Sequence, residues 1–198
     1  MEIVTNRFLL RDFADSDILE FEKYHIYPRS LEFYGTEEAK PGHARGLIAL
    51  FQSWAAEQPR LNYQLAIIQR KAPHALIGCG GVRCAGMEPG TAELGIELAP
   101  KYWGRYGYAA EILHALIDYG FGTLGLQTIH GLIVSANSRV ARLVSAFGAT
   151  AATLPTPAWM SAKGWTQVEW TVTRQQWESG CLTLRSRGTR QKAARPSI

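Results

Sequence analysis

The stretch "TAELGIELAPKYWGRYGYAAEILHALIDYG", residues 91–120, contains a strand pattern, a turn and a helix pattern in direct succession. Polar and apolar residues alternate over its first part, as in a strand with two different faces. Its last part places Ile112, Leu116 and Tyr119 on one face of a helix. The turn "KYWGRYGYAAE", residues 101–111, joins the two elements. This strand, turn and helix indicate an α/β fold.

The turn combines small residues with the start of a helix. The first N–H groups of a helix lack partners and favour an anion, and small residues let a phosphate approach the backbone. An ordinary strand-to-helix turn has the same composition. The phosphate-binding interpretation covers Gly104, Arg105, Tyr106, Gly107, Tyr108 and Ala109.

Periodic elements continue on both sides of this unit. Before it, the sequence predicts a strand in "NRFLLRDF", a helix in "DILEFEKY" capped by Asp15 or Ser16, a helix in "LIALFQSWAAEQ", and strands in "NYQLAIIQR" and "HALIGCGGVRC". After it come a strand in "TIHGLIV", a helix ended by Gly148, and "TQVEWTVTR", which alternates like an edge strand. Strands on both sides of long helices predict an α/β mixed sheet and not a helical bundle.

Length and charge predict one domain with a basic tail. The chain has 198 residues, of which 46% are hydrophobic, so it can bury one full core, and we expect a single domain over residues 1–178. Residues 179–198 contain five basic and no acidic residues. Because the net charge is +4, the rest of the chain carries about −1. We expect this tail to be disordered, with at most a weak electrostatic contact to nucleic acid.

The sequence lacks the signatures of several classes of protein. No apolar run reaches the ~20 residues of a membrane span, and the start has no secretory signal pattern. Three cysteines are too few for a disulfide framework, and the five histidines show no metal-binding spacing. The run "LIGCGGV" matches no nucleotide-binding loop and indicates a strand with close backbone approach. We expect a cytoplasmic protein without a metal, either a monomer or a homodimer.

The sequence resembles the GNAT superfamily of acyl-CoA-dependent N-acyltransferases, and within it the ribosomal-protein N-acetyltransferase (RimJ/RimL-like) branch. The resemblance rests on "TNRFLLRDFADSD", "LIGCGGV", the run from "AELGIEL" to "LIVSAN", "LVSAFGA" and "QQW". It implies the GNAT fold, a mostly antiparallel mixed sheet that is splayed at its central strands and flanked by helices. It also implies acetyl-CoA as the co-substrate.

The resemblance further implies residues that bind coenzyme A. The family's pyrophosphate loop, Gln/Arg-x-x-Gly-x-Gly/Ala, matches at Gly107 and Ala109, whereas Gly104 stands where Gln or Arg is usual. Because the loop acts mainly through backbone amides, this departure weakens a side-chain contact more than it removes the cradle. The backbone of Leu98 and Ala99 corresponds to the segment that pairs with pantetheine in the family.

The resemblance implies only some of the catalytic residues. Glu93 matches the position at which several family members carry a general base, and a carboxylate in a partly dry cleft can deprotonate an amine directly or through water. Asn137 resembles the asparagine that contacts pantetheine, although a helix-capping role explains it equally well. Where relatives often carry an acid for the leaving thiolate, this sequence has Val140 and Val144, so the general acid is unassigned.

The sequence thus predicts an N-acetyltransferase that moves an acetyl group to a primary amine by direct attack. The acceptor is a protein N-terminal amine or a small-molecule amine. A non-catalytic domain that binds or senses acyl-CoA and a nucleic-acid-associated protein are the alternatives. We expect Tyr27, Arg29, Phe33 and Tyr34 to shape the acceptor site, with the aromatic rings either as core plugs or as substrate walls.

Overall fold

The computed structural model describes residues 1–35, 40, 42–104 and 107–180. Its strands are β1 (Glu2–Val4), β2 (Phe8–Arg11), β3 (Asn62–Gln69), β4 (Leu76–Arg83), β5 (Thr91–Leu98), β6 (Thr128–Val134), β7 (Thr150–Leu154) and β8 (Gln167–Thr173). Its α-helices are α1 (Ile18–His25), α2 (His43–Ala56), α3 (Tyr108–Asp118), α4 (Ser138–Ala146) and α5 (Ala158–Ser161). Short 3-10 helices cover Asp15–Asp17 and Pro100–Tyr102, a π-helix covers Tyr119–Thr123, and residues 174–180 are helical.

The eight strands in the described part of the chain form one sheet in the order β1-β2-β3-β4-β5-β6-β8-β7. Neighbouring strands are antiparallel, apart from β5 and β6, which run parallel and are connected through α3. A parallel pair requires such a crossover because both strands begin at the same edge of the sheet. The prediction of a mixed, mostly antiparallel sheet flanked by helices is therefore confirmed.

Helices cover both faces of the sheet. On one face, Leu116 of α3 is buried in a core that also contains Leu94 of β5. On the opposite face, Phe21 of α1 and Phe51 of α2 pack in a second core with Ala66 of β3. Each fully buried side chain of this size contributes about 1.5–3 kcal/mol to folding. These two layers hold β5 in the middle of the protein.

The glycines of β4 allow its neighbours to approach closely. A Cβ atom at Gly78 would lie 2.0 Å from the Glu97 carbonyl oxygen, and one at Gly81 would lie 2.1 Å from the Tyr63 carbonyl oxygen. A larger residue at either position would collide with the backbone of the adjacent strand. The run "LIGCGGV" is thus a strand with close backbone approach, as predicted.

The helix cap predicted near the N-terminus is wrong. Neither Asp15 nor Ser16 is the N-cap of α1. Both lie in a 3-10 helix that ends at Asp17, and Asp17 is the residue immediately before α1. The Asp17 carboxylate instead accepts a hydrogen bond from the Ala14 amide at 2.8 Å and pairs with Arg11 at 2.6 Å. An ion pair with the preceding strand therefore replaces the expected side-chain cap.

The prediction of an edge strand in "TQVEWTVTR" is also wrong. This segment forms β8, which lies between β6 and β7. Its alternation arises because one face is buried, as Trp170 and Val172 show. The edge is formed by β7, whose short sequence "TAATL" is mostly small and exposed and has no clear strand pattern.

An opening in the middle of the sheet positions the site. The parallel pairing of β5 and β6 extends over three positions and ends where Glu93 lies opposite His130. On its other side, β5 remains paired with β4 as far as Leu98, opposite Gly78. The edge of β5 beyond Glu93 therefore faces a gap, which is the splay that the resemblance implied. The loop that leads into α3 begins at the open end of this gap.

None of the helices in the described ranges is both long and apolar enough to cross a membrane. Ser179 and Gly180, the first two residues of the predicted tail, continue the last helical stretch. The remainder, residues 181–198, lies outside the described residues.

Candidate active site

The predicted phosphate cradle lies at the N-terminus of α3. Gly107 immediately precedes the helix with a φ of +68°, and Gly104 has a φ of +67°. Both angles fall in the left-handed region that favours glycine. The first turn of α3 directs its N–H groups toward the loop, which is the arrangement that binds anions. Arg105 and Tyr106 lie outside the described residues and stay predictions.

An ion pair joins the start of α3 to the N-terminal hairpin. Arg7 Nε lies 2.5 Å from Glu111 Oε2, and the Arg7 amide donates to Glu111 Oε1 at 2.8 Å. The Arg7 guanidinium also lies 4.8 Å from the centre of the Tyr108 ring and donates to the Gly107 carbonyl at 3.4 Å. These contacts fix the direction of the first turn, to which Tyr108 and Ala109 belong.

The open edge of β5 is formed by the backbone of Ile96 and Leu98. N–H and C=O groups alternate between the two edges of an antiparallel strand, and the Ala99 amide already donates to the Ile77 carbonyl at 2.8 Å. The Leu98 carbonyl accepts a hydrogen bond from Trp103 Nε1 at 2.6 Å. Binding of pantetheine by Leu98 and Ala99 stays a prediction, and the Ala99 carbonyl already accepts a hydrogen bond from the Tyr102 amide at 2.9 Å.

Asn137 caps α4. Its side-chain oxygen accepts a hydrogen bond from the Val140 amide at 3.3 Å, which satisfies one of the first N–H groups of the helix. Contact with pantetheine stays a prediction for this residue. Val140 packs against the main core and Val144 is 5% exposed, so these positions contribute apolar contacts and no acid.

Glu93 lies at the closed end of the opening and is held by an ion pair. Its Oε1 lies 2.8 Å from Arg83 Nη2, and Arg83 is its partner across the β4–β5 ladder. The other side of Glu93 is occupied by His130, whose Nδ1 lies 3.0 Å from Glu169. The Glu93 side chain is 29% exposed. The role of Glu93 as a general base stays a prediction. Its carboxylate already has a cationic partner, Arg83.

Glu97 lies four residues further on the same face of β5, beside the open end. Its side chain is 18% exposed, and its Oε1 atom is buried without a hydrogen-bond partner in the described part of the chain. Tyr34 donates a hydrogen bond to Oε2 at 2.9 Å. Burial raises the Glu97 pKa to about 7, although the bond from Tyr34 opposes that rise. Glu97 is therefore a carboxyl group that exchanges its proton near neutral pH.

A neutral histidine faces this carboxyl group. His25 Nε2 of α1 lies 3.4 Å from Glu97 Oε1. Burial, followed by the nearby His43, lowers the His25 pKa to about 4, so the imidazole carries no charge at pH 7. Tyr24 of the same helix is buried with its hydroxyl unpaired within the described residues, and burial raises its pKa well above the usual value. Helix α1 thus supplies neutral polar groups and no counter-charge to Glu97.

The predicted acceptor residues divide between walls and surface. Tyr34 reaches the Glu97 carboxylate, and the Phe33 ring lies 5.9 Å from the Trp165 ring. The Arg29 guanidinium lies 5.3 Å from the centre of the Trp103 ring, whereas Tyr27 is 55% exposed. An acceptor-binding role for Tyr27, Arg29, Phe33 and Tyr34 stays a prediction.

The cysteines in the described residues are not disulfide-bonded. Cys79 and Cys84 are free thiols, and burial raises the Cys79 pKa to about 12, which makes it a poor nucleophile at neutral pH. In residues 1–35, 40, 42–104 and 107–180, no group of three His, Cys, Asp or Glu side chains is arranged to hold a metal ion.

The sequence did not point to the surroundings of Glu97. His25 is a single histidine directly after the predicted helix "DILEFEKY", and Arg139 is one of several surface cations, so neither has a spacing that signals a site. Only the period-2 pattern, which puts Glu93 and Glu97 on one face, indicated that both carboxylates belong to the same surface.

Comparison with known proteins identifies the family. The family model "Acetyltransferase (GNAT) domain" matches residues 7–150. The chain is 28% identical over 144 residues to the uncharacterized N-acetyltransferase YoaA of Bacillus subtilis (strain 168), a match that covers 73% of this chain and 80% of the relative. The chain therefore belongs to the GNAT acetyltransferase family, and the predicted class of enzyme is confirmed.

Solved structures of this class share the fold at low sequence identity. The ribosomal-protein-S5-alanine acetyltransferase from Vibrio fischeri has a TM-score of 0.69 at 15% identity, covering 89% of this chain and 98% of its own. The spermidine N-acetyltransferase from Vibrio cholerae, solved with CoA and spermine, has a TM-score of 0.69 at 16% identity, covering 87% and 99%. At these identities only the fold is shown, and the RimJ/RimL-like branch stays a prediction.

Proposed function

We propose that this protein transfers an acetyl group from acetyl-CoA to a primary amine, with Glu97 as the general base. The observation that carries the proposal is the position of the Glu97 carboxyl group, which is mostly buried beside the open end of β5 and has no lysine or arginine partner in the described residues; this burial raises its pKa to about 7. A primary amine is mostly protonated at pH 7, since its pKa is about 8 for a peptide α-amine and about 10 for an alkyl amine, so a base that works near pH 7 is required. Glu93, the base that the family resemblance suggests, is the alternative.

Three parts of the chain support binding of the donor. The first turn of α3 and the left-handed Gly107 offer an anion site for the diphosphate. The edge of β5 at Ile96 and Leu98 faces the gap and offers backbone groups to the amides of pantetheine, much as a strand would, and only the Leu98 carbonyl among them accepts a side-chain hydrogen bond in the described residues, from Trp103. Asn137 keeps its side-chain NH2 group as a donor after its oxygen has capped α4.

The reaction is a direct transfer. Glu97 removes one proton from the ammonium group directly or through water, and the nitrogen attacks the thioester carbonyl carbon. The C–S bond then breaks to release the thiolate, and the second proton of the attacking nitrogen passes to the thiolate or to water. A thiolate is a good leaving group, so the reaction proceeds without an acid at Val140 or Val144. Cys79 takes no part because its thiol stays protonated.

Thiol release from acetyl-CoA tests the proposal. The full chain is incubated at pH 8 with acetyl-CoA and a panel of peptides, amino acids and polyamines, and the free thiol is measured against a control without amine. We expect amine-dependent thiol release with at least one member of the panel. Tight binding of CoA without thiol release on any amine would favour the alternative, a domain that binds or senses acyl-CoA.

A further inference from the structure

Three basic side chains approach aromatic rings in the neighbourhood of Trp103 and Tyr34. The Arg139 guanidinium lies 4.4 Å from the centre of the Trp103 ring, and the Arg29 guanidinium lies 5.3 Å from the same ring. Lys163 Nζ lies 4.7 Å from the centre of the Trp165 ring. We name Arg29, Arg139 and Lys163 the basic rim. These residues come from the α1–α2 connection, the first turn of α4 and the β7–β8 connection, so the fold brings them together from distant parts of the chain.

The basic rim adjoins the proposed catalytic carboxyl group. Lys163 Nζ donates to the Tyr34 carbonyl at 3.5 Å, and the Tyr34 hydroxyl donates to Glu97 at 2.9 Å. Trp103, whose ring both guanidinium groups approach, donates from its indole to the Leu98 carbonyl at 2.6 Å. A group bound at the rim would thus be separated from the proposed base only by Tyr34, and from the open edge only by Trp103.

The positive charge of the rim is only partly neutralised. Arg139 pairs with Glu32 at 3.2 Å, and these two side chains are 38% and 45% exposed. In the part of the chain that the structure describes, no ion pair joins Arg29 or Lys163 to a carboxylate. Two guanidinium groups at one indole ring repel each other, and a shared anion converts that repulsion into two charge-assisted hydrogen bonds. The rim is therefore suited to an anion.

We propose that the acceptor is an amine that carries an anionic group, a carboxylate or a phosphate, and that Arg29 and Arg139 bind this group. This inference rests on the proposed acetyl transfer. A polyamine would place its remaining positive charges against three cations, which disfavours it as an acceptor. The anionic group belongs either to an acidic peptide or to a small amino acid.

Matched acceptors measure this preference. We compare kcat/KM for peptides that begin Ala-Glu-Glu, Ala-Gln-Gln and Ala-Lys-Lys, for free glutamate, and for spermidine. The acidic peptide should exceed the glutamine peptide about tenfold, as expected for paired charge-assisted bonds, and the lysine peptide and spermidine should be the poorest. Comparison of the acidic peptide with free glutamate distinguishes a peptide from a small amino acid.

Arginine variants assign the preference to the rim. Arg29→Gln and Arg139→Gln should each lower the acidic-to-neutral ratio of kcat/KM to near one. Arg142→Gln is the matched control, because Arg142 is an exposed arginine of the same helix α4, and this variant should keep the ratio. The preference should also weaken at high salt, which screens exposed charges.

Three outcomes would overturn the inference. The first is a ratio near one in the unmodified protein, and the second is a ratio that the two arginine variants leave unchanged. The third is weaker CoA binding by Arg29→Gln and Arg139→Gln in calorimetry, which would mean that these arginines bind the anionic groups of the donor and not those of the acceptor. If no amine is acetylated, the proposed function fails. Peptide binding to the CoA-saturated protein, followed by tryptophan fluorescence, then decides whether acidic peptides are preferred.

Discussion

Glu93 and Glu97 lie on the same face of β5, yet the fold surrounds them differently. Glu93 is 29% exposed and pairs with Arg83 at 2.8 Å, whereas Glu97 is 18% exposed and receives only the hydroxyl of Tyr34 within 3 Å. No ion pair in the described residues supplies Glu97 with a lysine or an arginine. Glu93 therefore has a cationic partner, while burial raises the pKa of Glu97 to about 7.

The difference follows from where β6 leaves β5. At Glu93, both neighbouring strands are paired, and the cross-strand position opposite is an arginine that can reach the carboxylate. At Glu97, the cross-strand neighbour is Cys79, and α1 covers the face with His25. The two carboxylates thus share one face of β5, but in the described residues only the one at the closed end has an arginine partner.

Replacement of each carboxylate measures this contrast most strongly. Glu97→Gln keeps the size of the side chain but removes the base, so we expect kcat/KM for the best amine to fall about 100-fold or more at pH 7. Unmodified protein should lose activity as the pH falls below about 7, where Glu97 becomes protonated. The loss of kcat/KM caused by Glu97→Gln should be smaller at high pH, where free amine is abundant.

Glu93→Gln is the matched control for this experiment. It removes one partner of the Arg83 ion pair and should change kcat/KM by only a few fold, since the pair is partly exposed. A 100-fold loss in Glu93→Gln with normal rates in Glu97→Gln would reverse the assignment and return the base to Glu93.

Stability against pH provides a second, smaller contrast. Folding raises the Glu97 pKa from 4.5 to about 7, so the folded state keeps a proton that the unfolded chain loses between these values. Stability due to this group is present below pH 4.5 and is lost as the pH rises to about 7, by on the order of 3 kcal/mol. Glu97→Gln should therefore be several degrees more stable than unmodified protein at pH 8 but not at pH 5.

Calorimetry or thermal melts in both buffers check this expectation. Glu93→Gln should show no such gain at pH 8, because its carboxylate has a cationic partner. A Glu97→Gln protein whose melting temperature relative to unmodified protein is the same at pH 5 and pH 8 would show that Glu97 ionises without cost.

The smallest predicted effect concerns the donor cradle next to the open end. Gly107→Val should reduce acetyl-CoA affinity about tenfold or more, because it forces a branched side chain into the loop and disfavours a φ of +68°. Gly86→Val is the matched control, since Gly86 has a φ of +74°, nothing within 4 Å of a Cβ atom, and a place at the opposite end of β5. Calorimetry with acetyl-CoA compares the two, and equal losses would mean that strain alone weakens binding.

The sequence predicted the features that repeat along the chain or concentrate in one stretch. Period-2 alternation indicated β5, helical spacing indicated α3, and the glycines between them indicated the cradle at Gly104 and Gly107. The sequence could not predict which carboxylate is buried, because His25 and Tyr34 reach Glu97 through packing of α1 and its following loop. The order of β7 and β8 was equally hidden, since Thr150–Leu154 consists mostly of small residues.

A crystal structure of the protein with CoA bound tests the central claim most directly. The measurement is the distance from the CoA sulfur atom to each of the two carboxylates. We predict that CoA lies along the open edge of β5, with its sulfur atom closer to Glu97 than to Glu93 and its diphosphate on the first turn of α3. A sulfur atom closer to Glu93, or a CoA molecule bound outside the gap between β5 and β6, would contradict this account.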